Sequence, residues 1–224
     1  MKTIRVGLAL CLTFFTAALA TAASDKEEAQ KQVVESGQTL DNFTADPEMT
    51  WFRDHAKDAK GLLICSTVVK AGFILGGSGG RCVFVAKGEH SWNGPAFYTI
   101  GTASIGFQVG AEKSQLILLA MTQKAVDSLM SSSFKLAGEA SVSAGPVGTG
   151  TGATATDFVS FSRSKGLYGG VDVSGAVIKP TDDYNKAYYG KTVSPIDIIS
   201  KGSVHNQTAA LPLTSKVAKL YGEK

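Results

Sequence analysis

Catalysis near neutral pH usually rests on an imidazole, a thiolate or a carboxylate held against a second reactive group. This chain has three histidines, His55, His90 and His205. They lie far apart, one in a helical pattern and two in loop-like stretches, and none belongs to an H-E-x-x-H or related spacing. Solvated or locally hydrogen-bonded imidazoles account for them. Serine is abundant, yet no G-x-S-x-G elbow occurs, and Gly77-Ser78-Gly79 is a turn-like tripeptide without the strand and helix an elbow requires. Three cysteines without a C-x-x-C pair or a His/Cys cluster offer no zinc-ligand spacing. The sequence therefore nominates no catalytic residue and no metal site.

Two glycine-rich stretches pose the question of a nucleotide cofactor. Gly148-Thr149-Gly150-Thr151-Gly152-Ala153 contains a G-x-G-x-x-A. A dinucleotide fingerprint needs a helix to open there, with its N-terminus on the pyrophosphate. Thr154 to Ser162 is rich in Thr, Val, Phe and Ser and reads as strand, so Asp172 further on has no helix to act with. Gly76-Gly77-Ser78-Gly79-Gly80 lacks the Gly-Lys-Ser/Thr ending of a phosphate loop. No cofactor is expected. Glycines at such density in strands serve a strongly curved sheet, or a narrow interior that a ligand reaches through gaps side chains would otherwise fill.

The chain has 224 residues, 44% of them hydrophobic and 18% charged, with enough apolar material for one compact core and too little charge for a disordered chain. Met1 to Ala22 has signal-peptide order: Lys2 and Arg5, the apolar run Val6 to Ala20, then Ala18-Leu19-Ala20 and Ala20-Thr21-Ala22 as overlapping A-x-A sites. The run of about 15 residues is shorter than the roughly 20 a membrane anchor needs. Cys11 lies mid-run after the bulky Leu10, a poor lipidation site. The reading is an exported protein of the periplasm or cell envelope, cleaved near Ala20 to Ala23. Without Lys2 and Arg5 the 22 basic residues fall to 20 against 19 acids, which is not the footprint of a nucleic-acid binder.

Behind the leader, residues 24–60 hold nine acids, five bases and one glycine, whereas residues 61–224 hold 23 of the 25 glycines. This divides the chain into a helical lead-in, 23–60, and a β-rich body, 61–224, which pack as one unit. Ser24 and Glu27 suit a capping box, with Ala29, Val33, Leu40 and Phe43 on one face of a helix ending near Phe43. Asp46-Pro47-Glu48 starts a second, short helix that stops before Gly61. From Leu62 the period becomes two. Leu62–Val69 and Gln115–Met121 are apolar throughout and suit central strands. Ile105, Phe107 and Val109 alternate with polar or small residues, and so does the run from Leu167 to Val177. Glu112-Lys113 reads as a hairpin turn. Helical pieces return at Gln123–Ser131, Asp182–Tyr189, Pro195–Ser200 and Pro212–Tyr221. The expected class is α+β: a Gly-rich, mainly antiparallel curved sheet or barrel with N-terminal, peripheral and C-terminal helices. Cys65 and Cys82 fall on two such strands; neighbouring strands bring facing residues within about 5.5 Å, a disulfide's reach in an oxidising compartment, with two buried thiols as the alternative.

Six strings occur in order: Val68-Val69-Lys70-Ala71-Gly72-Phe73; Trp92-Asn93-Gly94-Pro95-Ala96-Phe97-Tyr98; Ser104-Ile105-Gly106-Phe107-Gln108-Val109-Gly110-Ala111; Ala144-Gly145-Pro146-Val147-Gly148; Phe161-Ser162-Arg163-Ser164-Lys165-Gly166-Leu167-Tyr168-Gly169-Gly170; and Asn185-Lys186-Ala187-Tyr188-Tyr189-Gly190. The succession resembles the SYLF domain family across most of residues 50–221. That resemblance implies a non-enzymatic lipid-binding module, since eukaryotic members bind phosphoinositide membranes and some bind actin, and exported bacterial members are thought to bind phospholipid. It implies phospholipid or a membrane surface as partner, and Lys70, Arg163, Lys165 and Lys186 as the cations within the matching strings that would hold head-group phosphate; an ordinary solvated face is the alternative. Arg163 and Lys165 alternate with Ser162 and Ser164, so both should project from one face. Phe161 and Leu167 suit either an acyl path or the core. An envelope-associated structural or protein-interaction module, or an unrecognised hydrolase, are the other readings.

Overall fold

A computed structural model describes residues 5–72, 75–89, 91–105, 110–146, 156–164, 167–204 and 207–222. The first element is one helix, α1, over Arg5–Ala45. Ser24 lies inside it rather than capping its start, because residues 8–23 contain neither glycine nor proline to end a helix before the lead-in begins. Among the described residues, no helix is long and apolar enough to cross a membrane. A 3-10 turn at Pro47–Met49, whose Glu48 N–H donates to the Asp46 carboxylate at 2.8 Å, leads into α2, Thr50–Ala56.

Four long strands follow: β1 (Gly61–Gly72), β2 (Leu75–Lys87), β3 (Trp92–Ile105) and β4 (Gly110–Ala120). After α3 (Gln123–Leu129) come the short β5 (Phe134–Lys135) and β6 (Val142–Ala144), then β7 (Phe158–Ser164), β8 (Leu167–Gly170) and β9 (Val177–Pro180). The chain closes with α4 (Asp182–Tyr189), a π-helical turn at Ile196–Ser200, and α5 (Gln207–Leu220), which begins five residues earlier than Pro212 suggested and carries that proline inside. The strand order is β5-β9-β3-β2-β1-β4-β7-β6, with β8 also on β7; β6–β7 is the parallel pair and the others are antiparallel. The class is the expected α+β curved sheet. Two strand readings are corrected. Glu112 and Lys113 are no turn but lie within β4, opposite Lys70 and Val69. The alternation from Leu167 to Val177 is broken at residues 171–176, where the chain leaves one sheet edge and rejoins at the other.

The central strands are apolar throughout because both faces are buried. Leu62, Ile64, Val83, Val85, Ile117 and Leu119 face an outer core shared with α1, α2, α4 and α5. Leu63, Cys65, Phe84, Leu116 and Leu118 face an inner core filled by α3 and the segment around Ile198 and Ile199. Phe134 of β5 stacks on Phe158 of β7 with centroids 5.9 Å apart, although five strands separate them in the order. The sheet has therefore curled until its ends meet, and the inner core is its concave side. On the other face, Gly145 permits close contact with the outer core: a Cβ on it would sit 2.1 Å from the Phe161 ring.

Side-chain ties seat the helices. Arg81 of β2 pairs with Glu28 of α1 at 2.7 Å and lies 4.7 Å from the centre of the Tyr184 ring; the Tyr184 hydroxyl also donates to Glu28. Burial and that carboxylate push the Tyr184 hydroxyl up to about 12. Lys216 of α5 reaches Asp41 of α1.

Candidate functional site at the hairpin end of the sheet

Beyond the double core, β1 to β4 continue as a glycine-, serine- and threonine-rich extension. Gly72 faces Gly110, Leu75 faces Ile105 and Ser114 faces Ser164, so the β1–β2, β3–β4 and β7–β8 connections all fall at one end of the sheet. Leu167, the first residue of β8, is 78% exposed, and Val69 of β1 is also exposed. The sequence joining β1 to β2 is Phe73-Ile74 and that joining β3 to β4 is Gly106-Phe107-Gln108-Val109; both lie outside the described residues.

Alternation assigns the faces. Lys70 shares a side with Val68, on the concave face, and is exposed, with Ser78 and Glu112 as its strand neighbours. Hydroxyls crowd this face: Ser78 and Thr102 are hydrogen-bonded at 2.7 Å, and Ser164 donates to Glu112. Arg163 shares a side with Phe161, on the outer face, and is half-buried against the helices. Its guanidinium donates to Gln115 Oε1 at 3.3 Å, while the Gln115 amide donates to Thr39 of α1 at 3.1 Å. Lys113 is exposed on the same outer face, opposite Val69.

Of the four cations in the matching strings, Lys70 and Arg163 are thus at one end but on opposite faces of the sheet. They cannot clasp a single phosphate; Lys70 stands two residues from the end of β1, whereas Arg163 lies opposite Gln115, five residues in from the start of β4. Lys165 lies outside the described residues. Lys186 is exposed on α4, a helix anchored at Phe97, which stands eight residues, roughly 26 Å, down β3 from the hairpin end. Phe161 is fully buried against Trp51 and Phe52 and belongs to the core, whereas Leu167 points to solvent. Lys113 was missed because a Glu-Lys pair imitates a turn; the alternation that continues from Leu116 back through Ser114 to Glu112 was the signal for it.

Cys65 and Cys82 are joined by a disulfide in the structure, both fully buried in the inner core. Ile64 pairs with Val83 and Thr67 with Arg81, so Cys65 and Ser66 together oppose Cys82 in a β-bulge. His55 is remote from the hairpin end, its ring stacked on Trp51 at 4.1 Å and its Nδ1 3.0 Å from the Trp51 carbonyl. Among the described residues, no three His, Cys, Asp or Glu side chains converge as metal ligands would.

Comparison with known proteins adds a second line of observation. The family profile described as Ysc84, Las17-binding protein actin regulator, matches residues 101–220. The chain is 37% identical over 167 residues to Protein YSC84 of Saccharomyces cerevisiae, covering 70% of this chain and 35% of that protein. It is 35% identical over 169 residues to LAS seventeen-binding protein 3 of the same yeast, covering 71% and 36%. Against the human SH3 domain-containing YSC84-like protein 1 the identity is 30% over 148 residues, covering 63% and 43%. The matches span only about a third to two fifths of the relatives' own lengths.

Proposed function

The chain belongs to the Ysc84 family, the SYLF-domain proteins, and from that premise we propose a non-enzymatic protein that docks end-on against an anionic phospholipid surface outside the cytoplasm. The observation that carries this reading is the hairpin end. Three strand connections fall together there, a leucine stands 78% exposed, and Lys70, Lys113 and Arg163 stand around it with Glu112 as their close acid. Apolar side chains at the tips enter the head-group layer, and cations placed behind them on both faces meet lipid phosphates, an arrangement that needs no shared pocket. Lys165, next along the chain from Ser164, lies outside the described residues and enters only through the matching string; Lys186 on α4 stands away from this end. Export rests on the order of residues in Met1 to Ala22, and a mature chain beginning near Ala20 to Ala23, read by intact mass from an envelope fraction, checks it.

The test is co-sedimentation with vesicles of phosphatidylcholine alone or mixed with phosphatidylglycerol. Binding to the anionic vesicles, weakening with salt and falling on the order of a hundredfold in Lys70→Ala/Lys113→Ala/Lys165→Ala, supports the reading, since each surface lysine contributes on the order of 1 kcal/mol. No binding of the wild type to either vesicle overturns it. The relatives' names favour a second reading, a protein-interaction module, which would leave vesicle binding absent.

A further inference from the structure

At the opposite end of the sheet, three segments far apart in sequence gather four lysines around one depression of about 760 Å3. Lys57 follows α2, Lys60 precedes β1, Lys87 ends β2, and Lys201 follows the π-helical turn. The carboxylates lining the same depression are Asp58 and Glu89, and Asp197 pairs with Lys201 from outside the lining, so the four lysines exceed the neighbouring carboxylates by one.

The pairing of these lysines is uneven. Lys201 is held by Asp197 at 2.8 Å, and Lys87 lies 5.6 Å from the centre of the Tyr221 ring. Lys57 and Lys60 are exposed, and among the described residues neither is in an ion pair. The rim is positioned by backbone: the Lys60 N–H donates to the Ala120 carbonyl at 2.7 Å, and its carbonyl accepts from the Lys87 N–H at 2.9 Å. Asn93, on the same wall, is fixed by its amide donating to the Ile199 carbonyl at 2.8 Å. Beneath the rim lie Ala59, Ala86, Val126 and Ile199, each at most 5% exposed. A cleft with an excess of one sign of charge concentrates counter-ions. Several separate ammonium groups suit an anion carrying more than one negative charge, taken as point charges without a fixed fork geometry.

We propose that this lysine-rimmed depression binds a multiply charged phosphate ester, independently of the hairpin end. The same chemistry comes from a soluble phosphorylated small molecule or from the head group of a phosphorylated lipid, and the experiment separates the two.

Titration calorimetry of the full chain with inorganic pyrophosphate tests the site itself. One-to-one binding that weakens with added salt and falls about tenfold or more in Lys57→Gln/Lys60→Gln supports it. Lys70→Gln/Lys113→Gln must leave that binding unchanged, so failure of the hairpin reading and failure of this one are distinguishable. No heat of binding in the wild type, or equal affinity in Lys57→Gln/Lys60→Gln with an unchanged melting temperature, overturns it. A second arm uses phosphatidylcholine vesicles containing phosphatidic acid. Displacement of bound protein by pyrophosphate, lost in Lys57→Gln/Lys60→Gln, supports the site with a lipid head group as its source. Pyrophosphate binding unaffected by the vesicles supports it with a soluble ester.

Discussion

Asn185 on α4 completes the hydrogen bonding of Phe97 on β3: its Oδ1 accepts from the Phe97 N–H at 2.9 Å, and its Nδ2 donates to the Phe97 carbonyl at 3.3 Å. The β3–β9 ladder runs from Tyr98–Pro180 to Gly101–Val177, so Phe97 is the first residue past its end. Thr181 still donates its N–H to the Phe97 carbonyl at 2.9 Å, and the fully buried Asn185 side chain supplies the partner that the Phe97 N–H would otherwise lack. The Tyr189 hydroxyl adds a bond to the Pro95 carbonyl at 2.9 Å. Two of the six family strings are thus clamped to one another.

Asn185→Ala should therefore lower unfolding stability by about 2 to 3 kcal/mol, because it leaves a buried backbone N–H without a partner. Urea denaturation measures this. A loss below about 0.5 kcal/mol would mean that water replaces the amide.

The Cys65–Cys82 bond closes a loop with a sequence separation of 17. Its reduction should cost roughly 3 kcal/mol in the chain-entropy model and lower the melting temperature. Unreduced, denatured protein should show no alkylatable thiol; two alkylated cysteines would show that the pair is free in the protein as isolated.

Asp157 is nearly buried where β6, β7 and α3 meet. Burial alone would raise its carboxyl, but hydrogen bonds from the Thr122 hydroxyl at 2.6 Å and from the Ser141 N–H and hydroxyl at 2.8 Å each, with Lys124 at 3.3 Å, hold it well below the usual carboxylate range. A carboxyl depressed in the folded state stabilises above its unfolded value of about 3.9 and loses that contribution as pH falls below it. Wild-type stability should fall between about pH 5 and pH 2 more steeply than that of Asp157→Asn, measured by thermal melts across the range. Parallel curves would assign the acid sensitivity elsewhere.

Leu167 makes the hairpin end testable by itself. Because it is 78% exposed, Leu167→Asp should leave the melting temperature within about 1 °C, as surface changes do, while vesicle binding falls severalfold. Undiminished binding would remove the leucine from the docking surface.

The elements that read clearly from the sequence are those where local signal and tertiary role agree. Asp182–Tyr189 is helical over the expected span, with two aspartates in its first turn and Gly190 in the left-handed conformation at its end, φ 70°. Leu62–Val69 stands out as a strand because a core covers each face. Past the core that pattern vanishes. Glu112 and Lys113 are exposed although they lie within a strand, so their composition resembles a turn. The bulge at Ser66 shifts the alternation by one, and β5 and β6, at two and three residues, are too short to show a period. The lysine-rimmed depression was illegible for a different reason: four segments build it, and no window of sequence holds more than two of its lysines.

The arrangement around β7 has a consequence for solubility. Its outer edge is divided, β6 pairing with residues 158–160 and β8 with residues 161–164. At the other margin of the sheet stand β9 and the two-residue β5. Four strands of 11 to 14 residues, rich in glycine, would present long templates for another chain if any of them stood at a margin. β1 and β2 are paired along both edges, β4 is covered by β7 over residues 114–120 and β3 by β9 over residues 98–101, and the margins themselves are pieces of two to four residues. The molecule therefore keeps much of its long-strand backbone paired between short margin strands, which limits edge-to-edge association with another chain.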